Sequence, residues 1–434
     1  MDMVSFFKNA LTAEPPRSHY WLQLNSQPPS AEILGLTAGE AIYGQFGGCV
    51  LDGSRYVAAR DHLGVVKKFY TRPVKGELVF ADSFIELLPY EQPIYALPRG
   101  KVVEISADGL RELANVSPAP LASSLQLQAQ TLLLEQNYAG FAQLVEFRLA
   151  AVFDCIKAAE NAGYTVFVAL SGGLDSSTMA HYAKRFCANP IAVTLDLGGS
   201  EDAEKAQKIA AQLAIRHCVF GVSEDEILAA VEKAPLLCQD FRDFNVHCAA
   251  LNCLLAEKIN QWAGANGVSA KRMIITGDLM NEFVCDYEEE IVEQTRYYRL
   301  PRIGKKALQK HLIGGLDTSD REWGLFAQYG LDCVQPYAAV YDLYEAVPES
   351  LLSQPEVKPL LNSHLVPGDI LQHIPKSKLR AQVGDKKSMG VLGLCHKHGI
   401  TEAVFKACLT SGLAGAETRI PIMMGRYSTE TLLA

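Results

Sequence analysis

From residue 164 onward the chain repeats one pattern, a short apolar run, a turn and then a helical segment. YTVFVAL leads through Ser171-Gly172-Gly173 into SSTMAHYAKRFC, PIAVTLD into EDAEKAQKIAAQLA, and RHCVFGV into EDEILAAVEKA, while KRMIIT runs up to Gly277-Asp278. Strands that alternate with helices of about 10–15 residues cross over to lie parallel, so this half predicts an α/β domain with a parallel sheet covered on both faces. The first hundred residues read differently. AIYGQFGGCVLDGSRYVAARD holds two apolar runs around Leu51-Asp52-Gly53-Ser54, where Asp-Gly signals a hairpin, and GELVFADSFIELL and KVVEISADGLREL continue the style. That part predicts a smaller, mainly antiparallel module.

At 434 residues the chain is long for one core. Ser117-Pro118-Ala119-Pro120 marks a linker within 106–125, and LQLQAQTLLLEQNYAGFAQLVEFRLAAVFDCIKAAENAG then reads as helical up to Asn161-Ala162-Gly163. Two domains are therefore expected, at 1–115 and 125–434.

The sharpest chemical signal is Ser171-Gly172-Gly173-Leu174-Asp175-Ser176-Ser177, directly after an apolar strand. Two glycines allow a tight turn with close approach of backbone N–H groups to a ligand, and the helix that follows aims its positive end at the same place. Hydroxyls complete a cradle for phosphate. Asp175 is out of keeping with an anion, and a divalent cation bridging to phosphate oxygens explains it. A Gly-rich turn with a Ser or Asp cap is common by itself, but the whole string in strand–turn–helix context points to nucleotide. No GxxxxGK[ST] loop occurs.

SGGLDSS resembles the pyrophosphatase loop of the ATP pyrophosphatase superfamily. Further stretches are similar to its asparagine synthetase branch, which includes the β-lactam synthetases: VAARDHLGVVKKFYTRPVKGELVFADSFIELL, IAVTLDLGGSEDAEKAQKIAAQLAIRHCVFGVSEDEIL, ITGDLMNEFVCDY, GLDCVQPYAAVYDLYEAVP and KSKLRAQVGDKKSMGVLGLCHKHGITEA. The resemblance implies an adenine nucleotide α-hydrolase-like synthetase domain behind an Ntn-like, glutaminase-type α+β domain. It also implies ATP and Mg2+ as cofactors and chemistry in which a carboxylate is adenylylated, Mg-pyrophosphate leaves and an amine displaces AMP. Carried over position by position, Leu170 and Val193 line the adenine site with Gly277 and Asp278 beside it, and Ser171, Gly172, Gly173, Asp175, Ser176 and Ser177 hold the phosphates. Asp175 and Glu282 bind metal. Lys376 and Lys397 contact pyrophosphate and the transition state, with Lys387 as the alternative to Lys397. In GLDCVQPYAAVYDLYEAVP, Tyr337 and Asp342 are expected to settle helix packing.

Two departures from the family pattern stand out. The second metal-binding acid falls on Asn281, whose carbonyl oxygen is a poorer ligand because it carries no charge. Asp278 and Asp286 lie nearby. In addition, Asp2 follows Met1 where a working glutaminase carries a nucleophilic cysteine, and the first cysteine is Cys49. The N-terminal domain is therefore expected to be truncated and non-catalytic, as in the β-lactam synthetase type, with the amine supplied by a substrate instead of by glutamine hydrolysis. An ammonia-dependent enzyme and a catalytically dead nucleotide-binding subunit are the alternatives.

Other signals bound the partners. A net charge of −9 argues against a large nucleic-acid surface. No apolar run is long enough for a membrane span, and MDMVSFFKNALTAEPPRSHYW is not a signal peptide. Eleven scattered cysteines without a CxxC pair suit a reducing, cytoplasmic setting. His247, Cys248 and Cys253 lie at helical spacing and read as core rather than as zinc ligands. A histidine of Cys395-His396-Lys397-His398 is a candidate base. Residues 286–302 read as an exposed, charge-dense helix in which Tyr287, Glu288, Glu289, Tyr297 and Tyr298 are candidates for holding the amine. The expected partners are a small-molecule carboxylate and an amine, in small-molecule or natural-product biosynthesis, with a homodimer left open.

Overall fold

The computed structural model describes residues 20–24, 30–37, 42–53, 55–73, 77–106, 109–116, 122–284, 290–292, 295–298, 320–352, 354, 356–374, 382–384, 388–413 and 415. Nine strands precede residue 116 among these: β1 (Tyr20–Leu22), β2 (Tyr43–Gln45), β3 (Gly47–Asp52), β4 (Arg55–Arg60), β5 (Phe69–Thr71), β6 (Val79–Ala81), β7 (Ile94–Ala96), β8 (Lys101–Ser106) and β9 (Gly109–Asn115). They form an antiparallel sheet in the order β3-β4-β8-β9, a second antiparallel sheet β6-β5-β7, and the parallel pair β1-β2. The Asp-Gly hairpin stands where the sequence places it: Asp52 pairs with Arg55, and Gly53 has the positive φ (63°) that a two-residue turn requires.

The linker reading of 106–125 needs correction. Gly109–Asn115 pairs with Lys101–Ser106 as a strand, and a helix begins at Ala122, so the connection is confined to 116–121. The single helical reading of 125–161 divides into Ala122–Leu134 and Tyr138–Asn161. Gln136 takes a positive φ (56°), and Asn137 caps the second helix by accepting from Gly140 N at 2.9 Å, which a periodicity count does not register.

The second half is built on β10 (Thr165–Ala169), β11 (Ile191–Asp196), β12 (Arg216–Gly221), β13 (Arg272–Ile275) and, after the hairpin β14 (Glu290–Val292) and β15 (Thr295–Tyr298), β16 (Asp332–Val334). These five strands, without the hairpin, are all parallel, in the order β12-β11-β10-β13-β16. Both faces are buried, as a parallel sheet with crossover helices demands. Val166, Val168, Met273 and Ile275 face one core, which includes the helices Tyr138–Asn161 and Leu174–Phe186, while Phe167, Ile191 and Ile274 face another with Leu255 and Ile259. The expected fold class, a parallel α/β domain after a mainly antiparallel module, is borne out. β16 escapes sequence reading because three residues, one of them aspartate, carry no period.

Buried polar bonds join the halves. Gln45 of β2 donates to Cys333 O (2.6 Å) and accepts from Gln335 N (3.0 Å), and Gln239 accepts from Phe84 N (2.9 Å). Arg148 and Asp342 form an ion pair at 2.9 Å with side chains only 3% and 4% exposed. Asp342 thus settles packing, as expected, and Tyr337 is fully buried in the core that holds the helix Tyr138–Asn161.

Candidate active site

In a doubly wound sheet, ligands bind beyond the carboxyl ends of the strands where the strand order reverses. Here that point lies between β10 and β13. SGGLDSS follows β10 and Gly277-Asp278 follows β13, so the topology brings the two motifs together.

The turn is fixed by its own bonds. Gly172 sits at φ +78°, where a Cβ would lie 2.8 Å from Lys205 Cβ and 3.2 Å from Ala206 N. Gly173 caps the helix Leu174–Phe186. Ser176 Oγ accepts from Ser171 N (3.1 Å), contacts Ser171 Oγ (3.0 Å) and donates to Gly173 O (3.2 Å), which closes the loop on itself. Ser176 and Ser177 are buried and Ser171 is exposed. Ser171 therefore faces solvent at the turn, while Ser176 braces it. Gly277 packs against the same turn, since a Cβ there would come within 2.9 Å of Asp175 C and Ser176 N. Leu279, at φ +81°, turns the chain after Asp278 into the short helix Met280–Phe283, which carries Asn281 and Glu282.

Leu170 and Val193, expected to line the adenine site, have their side chains in the cores, which leaves only their backbone toward the crevice. Leu170 (2% exposed) is buried in one core and Val193 (1%) in the other. The two residues pair through Leu170 N and Val193 O at 2.9 Å, and Thr194 Oγ1 donates to Leu170 O at 2.5 Å while meeting His217 Nε2 at 2.8 Å.

A lysine that sequence reasoning missed stands at the centre of the site. Lys358, on the helix Val357–Asn362, forms an ion pair with Asp175 and donates to Asn281 Oδ1 at 2.7 Å. It is only 8% exposed, and a buried ammonium is stable only with such partners. Tyr344 Oη donates to Asn362 Oδ1 (2.5 Å), which ties this helix to the core. The available signal was a lone charge between Val357 and Pro359-Leu360-Leu361. Arg321 was missed as well. It pairs with Glu322, lies 3.7 Å from Glu282, donates to Asn245 Oδ1 (3.0 Å) and covers the Phe244 ring at 4.9 Å. Burial pushes Glu322 up to about 8 against the pull of Arg321, and burial likewise raises Asp278.

Lys397 is not at the loop. Its exposed ammonium pairs with Glu224 Oε2 (2.8 Å) at the start of the helix that follows the edge strand β12, two strands from β10. Lys376, Lys387 and Asp286 lie outside the described residues, as do Tyr287, Glu288 and Glu289. Tyr297 and Tyr298 fall on β15, so the expected helix across 286–302 is instead a hairpin in its described part.

The donors expected for Mg2+ were Asp175, Asn281 and Glu282. As placed, they do not fit an ion held by the protein. Lys358 bonds the first two, Arg321 lies beside the third, and among the described residues no three His, Cys, Asp or Glu side chains gather as a metal site.

Residues 150–311 match the family model for asparagine synthase. The matched stretch, of a kind found in ATP-dependent carbon–nitrogen ligases, runs from β10 through β15 and includes both glycine turns. No curated protein matches the chain. Solved structures similar to it include NMN synthetase from Francisella tularensis (14% identity, 64% of this chain and 94% of that one, TM-score 0.25). NAD+ synthetase from Burkholderia pseudomallei aligns at 18% identity over 59% and 87% of the two chains, with a TM-score of 0.23. Glutamine-dependent NAD+ synthetase from Acinetobacter baumannii, in complex with ADP, aligns at 15% over 68% and 49%, with a TM-score of 0.24.

Proposed function

We propose that the chain is an AMP- and pyrophosphate-forming amide synthetase. ATP, carrying its own magnesium as substrate, lies with its β and γ phosphates over Ser171–Ser177. A substrate carboxylate oxygen attacks the α-phosphorus, the bond to the bridging oxygen breaks, and pyrophosphate leaves with the electron pair. An amine nitrogen then attacks the acyl carbon, AMP departs, and the nitrogen loses a proton. Ser171 and the amides of the Gly172-Gly173 turn bind the departing phosphates. Lys358 supplies the fixed positive charge that stabilises charge moving onto pyrophosphate, which is the role foreseen for Lys376 and Lys397.

One observation carries this reading. A nearly buried ammonium stands against the only acid of the phosphate loop, at the reversal point of a parallel sheet. The N-terminal module serves as a glutaminase-like scaffold, and the amine belongs to a substrate. Cys49 is the only cysteine before residue 116, and burial pushes its thiol up to about 12, which suits a packed thiol and not a nucleophile.

The test is to incubate purified protein with ATP, a panel of carboxylates and hydroxylamine, which traps any acyl adenylate as a hydroxamate. AMP and pyrophosphate in equal amounts are expected, with Asp175→Asn inactive. ADP as product, or an undiminished rate in that variant, refutes the proposal. Turnover with ammonium alone would favour the amidating reading. Nucleotide binding without turnover would favour the non-catalytic subunit, a reading that Asn281 supports.

A further inference from the structure

The charges around Asp175 balance in an unusual way. A divalent cation between two carboxylates sums to zero. Here one carboxylate, Asp175, and one neutral amide, Asn281, share the ammonium of Lys358, which also sums to zero. Against the family pattern two changes are therefore compensating. The acid becomes an amide, and a single-charged cation occupies the space between the two side chains. An ammonium also matches the donor arithmetic, since it has only N–H groups to give and both partners present oxygen. Glu282 is balanced separately, with Arg321 at 3.7 Å.

We propose that the Lys358 ammonium replaces a protein-held metal ion at the phosphate loop, so that the nucleotide-free protein binds no divalent cation at Asp175 and metal enters only with ATP. The Asp175–Asn281 pair is pre-neutralised by a covalently attached cation. Nucleotide binding by this chain then depends on metal less steeply than two carboxylates would require. The nucleotide part of the inference rests on the reading of SGGLDSS as the ATP phosphate site, whereas the metal part does not.

Mn2+ titration of the nucleotide-free full-length protein, with free Mn2+ followed by electron paramagnetic resonance, tests the metal part. Wild type and Asp175→Asn are expected to give superimposable isotherms. The double variant Lys358→Gln/Asn281→Asp is expected to gain one Mn2+ site, which adding Asp175→Asn abolishes. Asn281→Asp alone, which keeps the lysine, is expected to gain none, and circular dichroism verifies that each variant is folded. A stoichiometric Mn2+ site in wild type that Asp175→Asn removes overturns the proposal, as does a folded double variant that gains no site.

Calorimetric titration of ATP in excess EDTA tests the nucleotide part. Wild type is expected to lose less than tenfold in affinity relative to excess Mg2+, and Lys358→Gln to lose at least tenfold more than wild type. Equal losses overturn the inference. Absence of ATP binding in every protein and condition overturns the functional reading instead, and the Mn2+ titration still decides the metal part.

Discussion

Gly172 and Gly173 are neighbours in one motif, yet the backbone asks different things of them. At Gly172, φ is +78° and a Cβ would approach Lys205 Cβ to 2.8 Å, Ala206 N to 3.2 Å and Asp202 O to 3.4 Å. Alanine there costs about 1–2 kcal/mol for the left-handed backbone. Overpacking against a helix whose backbone atoms cannot swing aside adds roughly 1–3 kcal/mol. Gly172→Ala is therefore expected to lose about 2–5 kcal/mol. At Gly173 the backbone is extended (φ −78°, ψ 165°), and a Cβ would meet only Ser171 Oγ, at 3.5 Å. Alanine is a poorer helix cap than glycine by up to about 1 kcal/mol. It also restricts the unfolded chain, which returns roughly 0.4–1 kcal/mol. Gly173→Ala is thus expected to stay within about 0.5 kcal/mol of wild type. Urea unfolding followed by far-ultraviolet circular dichroism, with the slope checked for constancy, separates the two variants. Equal midpoints for both would refute the account of the turn, because only Gly172 is held against the helix Glu201–Gln212.

The Arg148–Asp342 pair is expected to behave as a buried ion pair. Arg148→Met or Asp342→Leu alone should cost about 3–5 kcal/mol by stranding the other charge, while the double variant should recover most of the loss, and urea midpoints of all four proteins would contradict this if the single losses simply added. His247 is buried near the ring of Phe405, and burial lowers its imidazole to about 3. Its folded value lies below the unfolded value of about 6.5, so the unfolded chain takes up a proton that the folded chain refuses, and stability falls as pH drops from about 6.5 toward 3. His247→Leu should flatten the slope of stability against pH between 6 and 4.5 by up to about 1.4 kcal/mol per pH unit, and identical slopes would show that the imidazole is protonated in the fold.

The sequence was legible where structure is local and periodic. SGGLDSS, the strands on either side of it and the Asp-Gly hairpin all announce themselves within a dozen residues. The site was less legible where residues far apart in sequence converge. Lys358 reaches Asp175 across 183 positions and Asn281 across 77, and no spacing rule covers such a distance. Lys397 drew attention because its surroundings resemble a family loop, but the helix Gly390–Lys397 spends its apolar side, Val391, Leu394 and Cys395, on the core with Ile227 and Val246, and this leaves the lysine at the surface. Leu170 and Val193 are a related case. Leu170 directly follows β10 and pairs with Val193 inside β11, and each sends its side chain into a different core.

The N-terminal module, with no reactive cysteine among its described residues, is physically bound to the site it accompanies. Gln45 bonds both sides of β16, the strand that completes the sheet next to β13. Lys67, 2% exposed, is lowered to about 8 by burial, and the carboxylate of Asp320 holds its charge against that burial, as Lys67 in turn holds the charge of Asp320. Asp320 adjoins Arg321, and Arg321 faces Glu282 and Glu322. A continuous run of mutually dependent charges thus leads from the first module to the turn after β13. Removing the module would leave Asp320 buried without its cation and Gln335 N without its acceptor. The module therefore helps to hold the charges beside Glu282 in balance, a role that needs no nucleophile.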